Sequence, residues 1–287
     1  MKNFFICDFF DFSRKLFKAF FAFFVLFFLN FSAFAEDVVY YRWTPYTDSG
    51  IWSETHKDGS ISNWSYLDGS KWVETADYPG SGSNKPAYTY FTGENDVAAK
   101  LDSSPKNELE RLYIGDCYKA TASSVGTKTI TINLAGSDLK SKTLVLGSSY
   151  VSSVDFVLTG GGTLKVSGTM SFAAASDVSS CTYKIEVASE TELDVSSIEL
   201  NDPRATVDFI GEGTLRVGDA IFSAGKININ VKNLEISGTA DFSGGSKSRF
   251  GGAVTNSGSV KFKDSAEGIF NGTVKNSGRL GFSGTAK

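Results

Sequence analysis

The sequence predicts an all-β protein, a parallel β-helix (β-solenoid) built from coils of about 20 residues, and three observations carry that prediction. From Thr121 onward, Gly, Ser, Thr and β-branched residues fall into short alternating runs. No 3.6-residue apolar period persists in that region, so its period is that of strands. Second, "VGDAIF" (Val217 to Phe222), "SGTADF" (Ser237 to Phe242), "SGSVKF" (Ser257 to Phe262) and "SGRLGF" (Ser277 to Phe282) recur at a fixed spacing of 20. Third, a longer echo links "VDFVLTGGGTLKV" (Val154 to Val166) with "VDFIGEGTLRV" (Val207 to Val217), the second shorter by two residues at its Gly-rich turn. Stacked coils tolerate such changes in turn length. A β-sandwich is the alternative, since it also shows short alternating strands and Gly-rich turns, but it has no reason to repeat the same residues at a fixed interval.

The chain divides into three parts. Residues 1–35 read as a signal peptide. Lys2, Arg14, Lys15 and Lys18 make a basic start, Ala19 to Phe31 is apolar, and "SAFA" (Ser32 to Ala35) supplies a cleavage site after Ala35. The apolar run is shorter than the ~20 residues needed to span a bilayer. Its removal leaves 252 of the 287 residues, and it takes the net charge from −4 to about −6. An acidic exported chain points away from nucleic acid as a partner. Only Cys117 and Cys181 remain after cleavage, too few for a disulfide scaffold, and whether they pair stays open. The fold must therefore rest on a core.

Residues 36–120 are rich in aromatics and hold all four tryptophans, Trp43, Trp52, Trp64 and Trp72. Such a segment suits a cap, because a solenoid needs its open end closed. Within it, "NELERL" (Asn107 to Leu112) is the one stretch that reads as a helical turn. Residues 121–287 form the repeat region, in which about eight 20-residue coils would make a rod of roughly 40 Å at the inter-strand spacing. In each copy the apolar residues stand two apart and share one strand face. Phe222, Phe242, Phe262 and Phe282 are thereby placed ring on ring. Gly218, Gly238, Gly258 and Gly278 mark a corner that needs positive φ or close backbone approach. Asn256 and Asn276, in register, suit an amide ladder at a turn.

Two features resemble a known family. One is coil text rich in Gly, Ser, Thr and Asn with "TLKV" and "NSG" units. The other is an N-terminal series of "RWTPYTDSGIW" (Arg42 to Trp52), "NW" (Asn63, Trp64), "YPG" (Tyr78 to Gly80) and "ENDVAAKLD" (Glu94 to Asp102). Together they resemble the passenger region of autotransporter-type bacterial surface proteins, over most of the mature chain. The resemblance implies a pectin-lyase-like, right-handed β-helix, a secreted or cell-surface address, and a role in adhesion or host contact. Members of that family end in a membrane β-barrel, which this sequence lacks, and its text stops inside a repeat. The expectation is a truncated product or one piece of a larger surface system. Membrane contact would come only through the signal peptide or a separate translocator, and an open last coil would favour end-to-end self-association.

Side chains with chemistry are few. His56 is the one histidine and lies in the hydrophilic "SETHKDGS". Metal-binding clusters of His and Cys are absent from the sequence, and "GGGTLK" lacks the Asp of the Ca²⁺-binding nonapeptide repeat. Polysaccharide hydrolysis would need two carboxylates at a set separation. Asp155, Asp194 and Asp208 are the candidates, though carboxylates on solvated strand faces are ordinary. The expectation is a non-enzymatic protein without cofactor or metal, adhesin-like or structural, with carbohydrate binding or processing as the alternative. The partner would be extracellular, a host surface or a glycan, with Trp43, Trp52, Trp64 and Trp72 either contacting it or closing the first coil. "NWS" at Asn63 and "NGT" at Asn271 match the glycosylation sequon at the level of chance.

Overall fold

The computed structural model describes residues 38–45, 50–55, 59, 61–82, 86–92, 96–115, 129–148, 153–173 and 178–287; the signal segment, His56 and Cys117 lie outside them. Among the described residues, 21 strands form one continuous sheet wound into a β-solenoid of about seven turns. The sheet has three walls, because long strands turn a corner and continue. Lys226–Ile236, for example, pairs in parallel with Lys247–Phe250 through its first half and with Ala253–Asn256 through its second. The coil then adds Ser259–Phe262 on the third wall. The next coil repeats the order as Glu267–Phe270, Val274–Asn276 and Arg279–Phe282.

Burial follows the two-residue alternation on most strands, though in the last coil Val274, Leu280 and Phe282 of the inward columns are exposed. On the first wall the inward column runs Ile130, Phe156, Ile185, Phe209, Ile229, Phe250 and Phe270. On the second it runs Leu139, Leu164, Leu193, Leu215, Leu234, Val254 and Val274. The third wall holds the expected phenylalanine column. Phe222–Phe242, Phe242–Phe262 and Phe262–Phe282 stack with centroids 4.9, 4.8 and 5.2 Å apart. Burying one such ring stabilises by roughly 1.5–3 kcal/mol, and stacking adds about 0.5–1.5 kcal/mol. One coil alone has no partner for its apolar side; the column exists only because coils stack.

The 20-residue period holds only late in the chain. On the first wall Phe156 pairs with Ile185, 29 residues on, and Ile185 with Phe209, 24 on, before the steps from Phe209 to Ile229, Phe250 and Phe270 shorten to 20, 21 and 20. Parallel stacking also begins ahead of Thr121, where Val39–Trp43 pairs with Ala87–Phe91 and that strand with Leu109–Ile114. Longer early coils explain why about seven turns are present where eight were expected. They also explain the numbering of "SGTMSF" (Ser167 to Phe172), a fifth copy outside the fixed frame. Met170 pairs with Ile198 and Ile198 with Ala220, so this copy occupies the same column as Ala240, Val260 and Leu280.

One expectation is corrected and one pair of alternatives is decided. "NELERL" is not helical: Leu109–Ile114 is a third-wall strand with Leu109, Leu112 and Ile114 fully buried. Parallel neighbours on both sides of it, Ala87–Phe91 and Asp138–Gly147, override its local preference. At the repeat glycines, close approach rather than positive φ is the requirement. A Cβ on Gly258 would collide with the carbonyl oxygen of Gly238, and one on Gly278 with that of Gly258. The left-handed corner sits elsewhere, at Gly244, Asp264 and Gly284 with φ of 59°, 57° and 71°, again 20 apart.

The N-terminal edge is closed by a hairpin. Trp64–Asp68 pairs antiparallel with Val39–Trp43 and with Lys71–Glu74. The hairpin removes the free parallel edge that would otherwise template further pairing.

The corner glycines give a direct test. Gly258→Ala is expected to destabilise by about 1–3 kcal/mol through overpacking. Gly245→Ala, where a Cβ meets nothing within 4 Å, is expected to be neutral or slightly stabilising. Urea midpoints of the two variants read the difference, and equal midpoints would show that close coil approach is not the constraint at Gly258.

Candidate functional site

The four tryptophans divide by strand alternation. Trp43, Trp52 and Trp64 are at most 3% exposed. They pack edge-on with centroids 4.8 Å (Trp43–Trp64) and 4.6 Å (Trp52–Trp64) apart, and Phe91 lies 5.6 Å from Trp64. Two of the three indole N–H groups are used inside: Trp52 Nε1 donates to the Pro79 carbonyl at 3.1 Å and Trp64 Nε1 to the Trp52 carbonyl at 2.9 Å, whereas Trp43 Nε1 is buried without a partner among the described residues. Rings so enclosed have no free face for a ligand; all three pack into the core of the first coils.

Trp72 is different. It stands on the outer side of the hairpin, half-buried, with the Arg42 guanidinium 4.7 Å over its ring and Tyr90 6.3 Å away edge-on. Around it the third wall carries an outward tyrosine ladder. Tyr40 pairs with Tyr88 and then Arg111, while Arg42 pairs with Tyr90 and then Tyr113. Tyr90 and Tyr113 stack at 4.5 Å with planes 2° apart. Arg111 lies 5.2 Å over Tyr88 and donates from Nη1 to the Tyr113 hydroxyl at 3.1 Å. Stacking and cation–π contacts occupy many of the ring faces. Solvent therefore meets mainly ring edges, phenol hydroxyls and the exposed Arg111 guanidinium, a rigid surface suited to hydrogen bonding and cation contacts.

Sequence reasoning missed this ladder because it counted tryptophans. The signal was nevertheless present in three alternating segments, "YYRW" (Tyr40 to Trp43), "YTYF" (Tyr88 to Phe91) and "RLYI" (Arg111 to Ile114). The inward positions are apolar or aromatic apart from the buried Thr89, and the outward ones are Tyr or Arg.

The remaining candidates have structural geometry. Asn256, 3% exposed, donates from Nδ2 to Asn276 Oδ1 at 2.7 Å and accepts from the Gly258 amide at 3.1 Å, so the amide ladder ties the corner between second and third walls. The three candidate carboxylates do not form a pair. Asp155 and Asp208 occupy one outward column with Lys184 between them, and Asp194 lies on another wall beside Lys165 at 3.6 Å. Asn63, the first sequon position, is 1% exposed and donates to the Ile51 carbonyl. Cys181 is a buried thiol whose pKa burial pushes up. Among the described residues no three His, Cys, Asp or Glu side chains gather as a metal site.

Compared with family models, characterised proteins and solved structures, the chain has no significant match.

Two outcomes follow for this end of the molecule. Trp64→Ala is expected to cost about 3–5 kcal/mol and Trp72→Ala about 1 kcal/mol, read as shifts in the urea midpoint. The second concerns pH. The Tyr41 hydroxyl donates to Asp77 Oδ2 at 2.8 Å. Burial first, and then this bond and the Asp77 charge, hold its pKa far above the ordinary value near 10. The unfolded chain therefore releases this proton while the folded chain keeps it. The stabilisation is complete below pH ~10 and declines as pH rises beyond it. Tyr41→Phe should flatten the loss of stability between pH 9 and pH 11; an unchanged alkaline slope would place the loss elsewhere.

Proposed function

We propose that the chain is a non-catalytic, adhesin-like β-solenoid of the autotransporter-passenger type, exported by the segment ending at Ala35 and displayed at or released from a bacterial surface. The observation that carries this reading is the outward Tyr, Trp and Arg patch made by Tyr40, Trp72, Tyr88, Arg111 and Tyr113. These residue types are enriched at the energetic centres of recognition surfaces, because they offer large, amphipathic contact area at low conformational cost. Here the parallel ladder holds the rings in place before any partner arrives, which lowers the ordering cost of contact. Many ring faces are already stacked, so edge and hydroxyl contacts to a protein or glycoprotein surface suit the patch better than sugar stacking.

The test is adhesion of the labelled, signal-cleaved protein to epithelial monolayers, beside the variant Trp72→Ala/Tyr113→Ser. Losing two central contacts should weaken binding by about thirtyfold, the effect of a 2 kcal/mol hot spot, with circular dichroism unchanged. Equal adhesion of the folded variant, or none by the natural chain, would refute the patch as a contact surface. Pretreating the cells with protease or with glycosidase separates a protein partner from a glycan.

A further inference from the structure

Charge is distributed unevenly along the solenoid. Residues 36–225 carry 15 Lys and Arg against 26 Asp and Glu, a balance of −11, whereas residues 226–287 carry nine against four, a balance of +5. Such asymmetry within one rod points to a polyanion at the basic end.

The structure gathers part of that charge on the outer side of the first wall. Lys226 pairs with Lys247, and Asn228 with Arg249, so three cations project from two adjacent coils. Together with Glu267 and Ile269 of the next coil they line a groove of about 300 Å³. Like charges set directly across a strand pair repel one another. Neutralisation is partial: Lys247 reaches Glu267 only at 3.9 Å, and Glu267 is shared with Lys287 at 3.3 Å. Asp208, one coil before Asn228, accepts from its Nδ2 at 2.6 Å. Among the described residues Lys226 and Arg249 have no carboxylate within 4 Å. Elsewhere charges of opposite sign meet, as where Arg216 reaches Glu192 at 2.7 Å and Glu235 at 2.8 Å.

We propose that this groove, centred on Lys226, Lys247 and Arg249, binds a linear acidic polysaccharide through its carboxylate or sulfate groups. The wall here is a strip four residues wide, roughly 13 Å, which fits one extended polymer lying along the rod. Lys226 and Lys247 then stand one coil spacing apart, ~4.8 Å, of the order of the rise of a sugar unit. The lining has no aromatic side chain, so it lacks the stacking platform on which single-stranded nucleic acid depends. A second groove of about 290 Å³, with Lys261, Lys263 and Arg279, lies on the third wall of the same coils, but there Asp241 engages Lys263 directly at 2.9 Å and lies 3.9 Å from Lys261. The site is separate from the tyrosine patch, and its ligand does not depend on that patch's role.

The experiment measures anisotropy of fluorescent heparin and polygalacturonate oligosaccharides with the signal-cleaved chain, at 50 and 200 mM salt. One probe is sulfated and the other carboxylated. Lys226→Gln/Lys247→Gln/Arg249→Gln should weaken binding of the preferred probe by about tenfold or more. The charge-matched control Lys106→Gln/Lys140→Gln/Lys184→Gln should bind within about twofold of the natural chain. Both sets are exposed or half-buried outward positions, and circular dichroism confirms their folding. Four results would overturn the proposal: no binding of either probe at 50 mM salt, equal loss in the control, equal affinity for a charge-matched oligonucleotide, or salt-sensitive self-association that accounts for the groove without any glycan.

Discussion

Every part of this molecule depends on parallel, in-register stacking of one coil on the next at the hydrogen-bonding distance of ~4.8 Å. That distance is short enough for like side chains to meet and long enough for aromatic rings to stack, so a residue choice in one coil constrains the same position in its neighbours. The Phe222, Phe242, Phe262 and Phe282 column is the clearest result. The corners obey the same spacing. Where two coils turn sharply one above the other, the backbone of Gly278 lies against the carbonyl oxygen of Gly258, and no side chain fits between them.

Stacking also arranges polar groups. On the outer columns Lys165 meets Asp194, and Arg216 sits between Glu192 and Glu235. Exposed pairs of this kind are each worth about 0.2–1 kcal/mol, so they favour one register over a slipped one more than they hold the rod together. Inside, the same rule makes Asn256 donate to Asn276 while it accepts from the Gly258 amide, so a buried side chain ties the corner with its polar atoms paired. The basic groove stands out against this background, since stacking sets Lys226 on Lys247 without full compensation.

At the N-terminal end, alternation sorts a dense set of aromatic residues into two groups with different roles. Trp43, Trp52, Trp64 and Phe91 fill the core of the first coils. Tyr40, Tyr88, Tyr90 and Tyr113, only one residue away along their strands, form the outer ladder. A one-residue slip would exchange the groups. The antiparallel hairpin pins this register by pairing Tyr41 with Tyr66 and Trp43 with Trp64.

The sequence by itself determined the strand period, the solenoid and the contents of its last coils, because there the repeat length is constant and register can be counted. From Val217 onward Phe, Gly and Asn positions were legible one by one. Only the tertiary structure decided what came earlier. Coil lengths of 29 and 24 residues hide the same columns from a fixed count, which is why Met170 looked out of frame, while at Leu109–Ile114 the parallel neighbours on both sides override a locally helical text. It also decided which aromatics face outward, since a Trp and a Tyr of one strand differ only in which side meets the core. The physical reason is that parallel pairing joins residues 20 or more apart, and its register is set by neighbouring coils rather than by local preference.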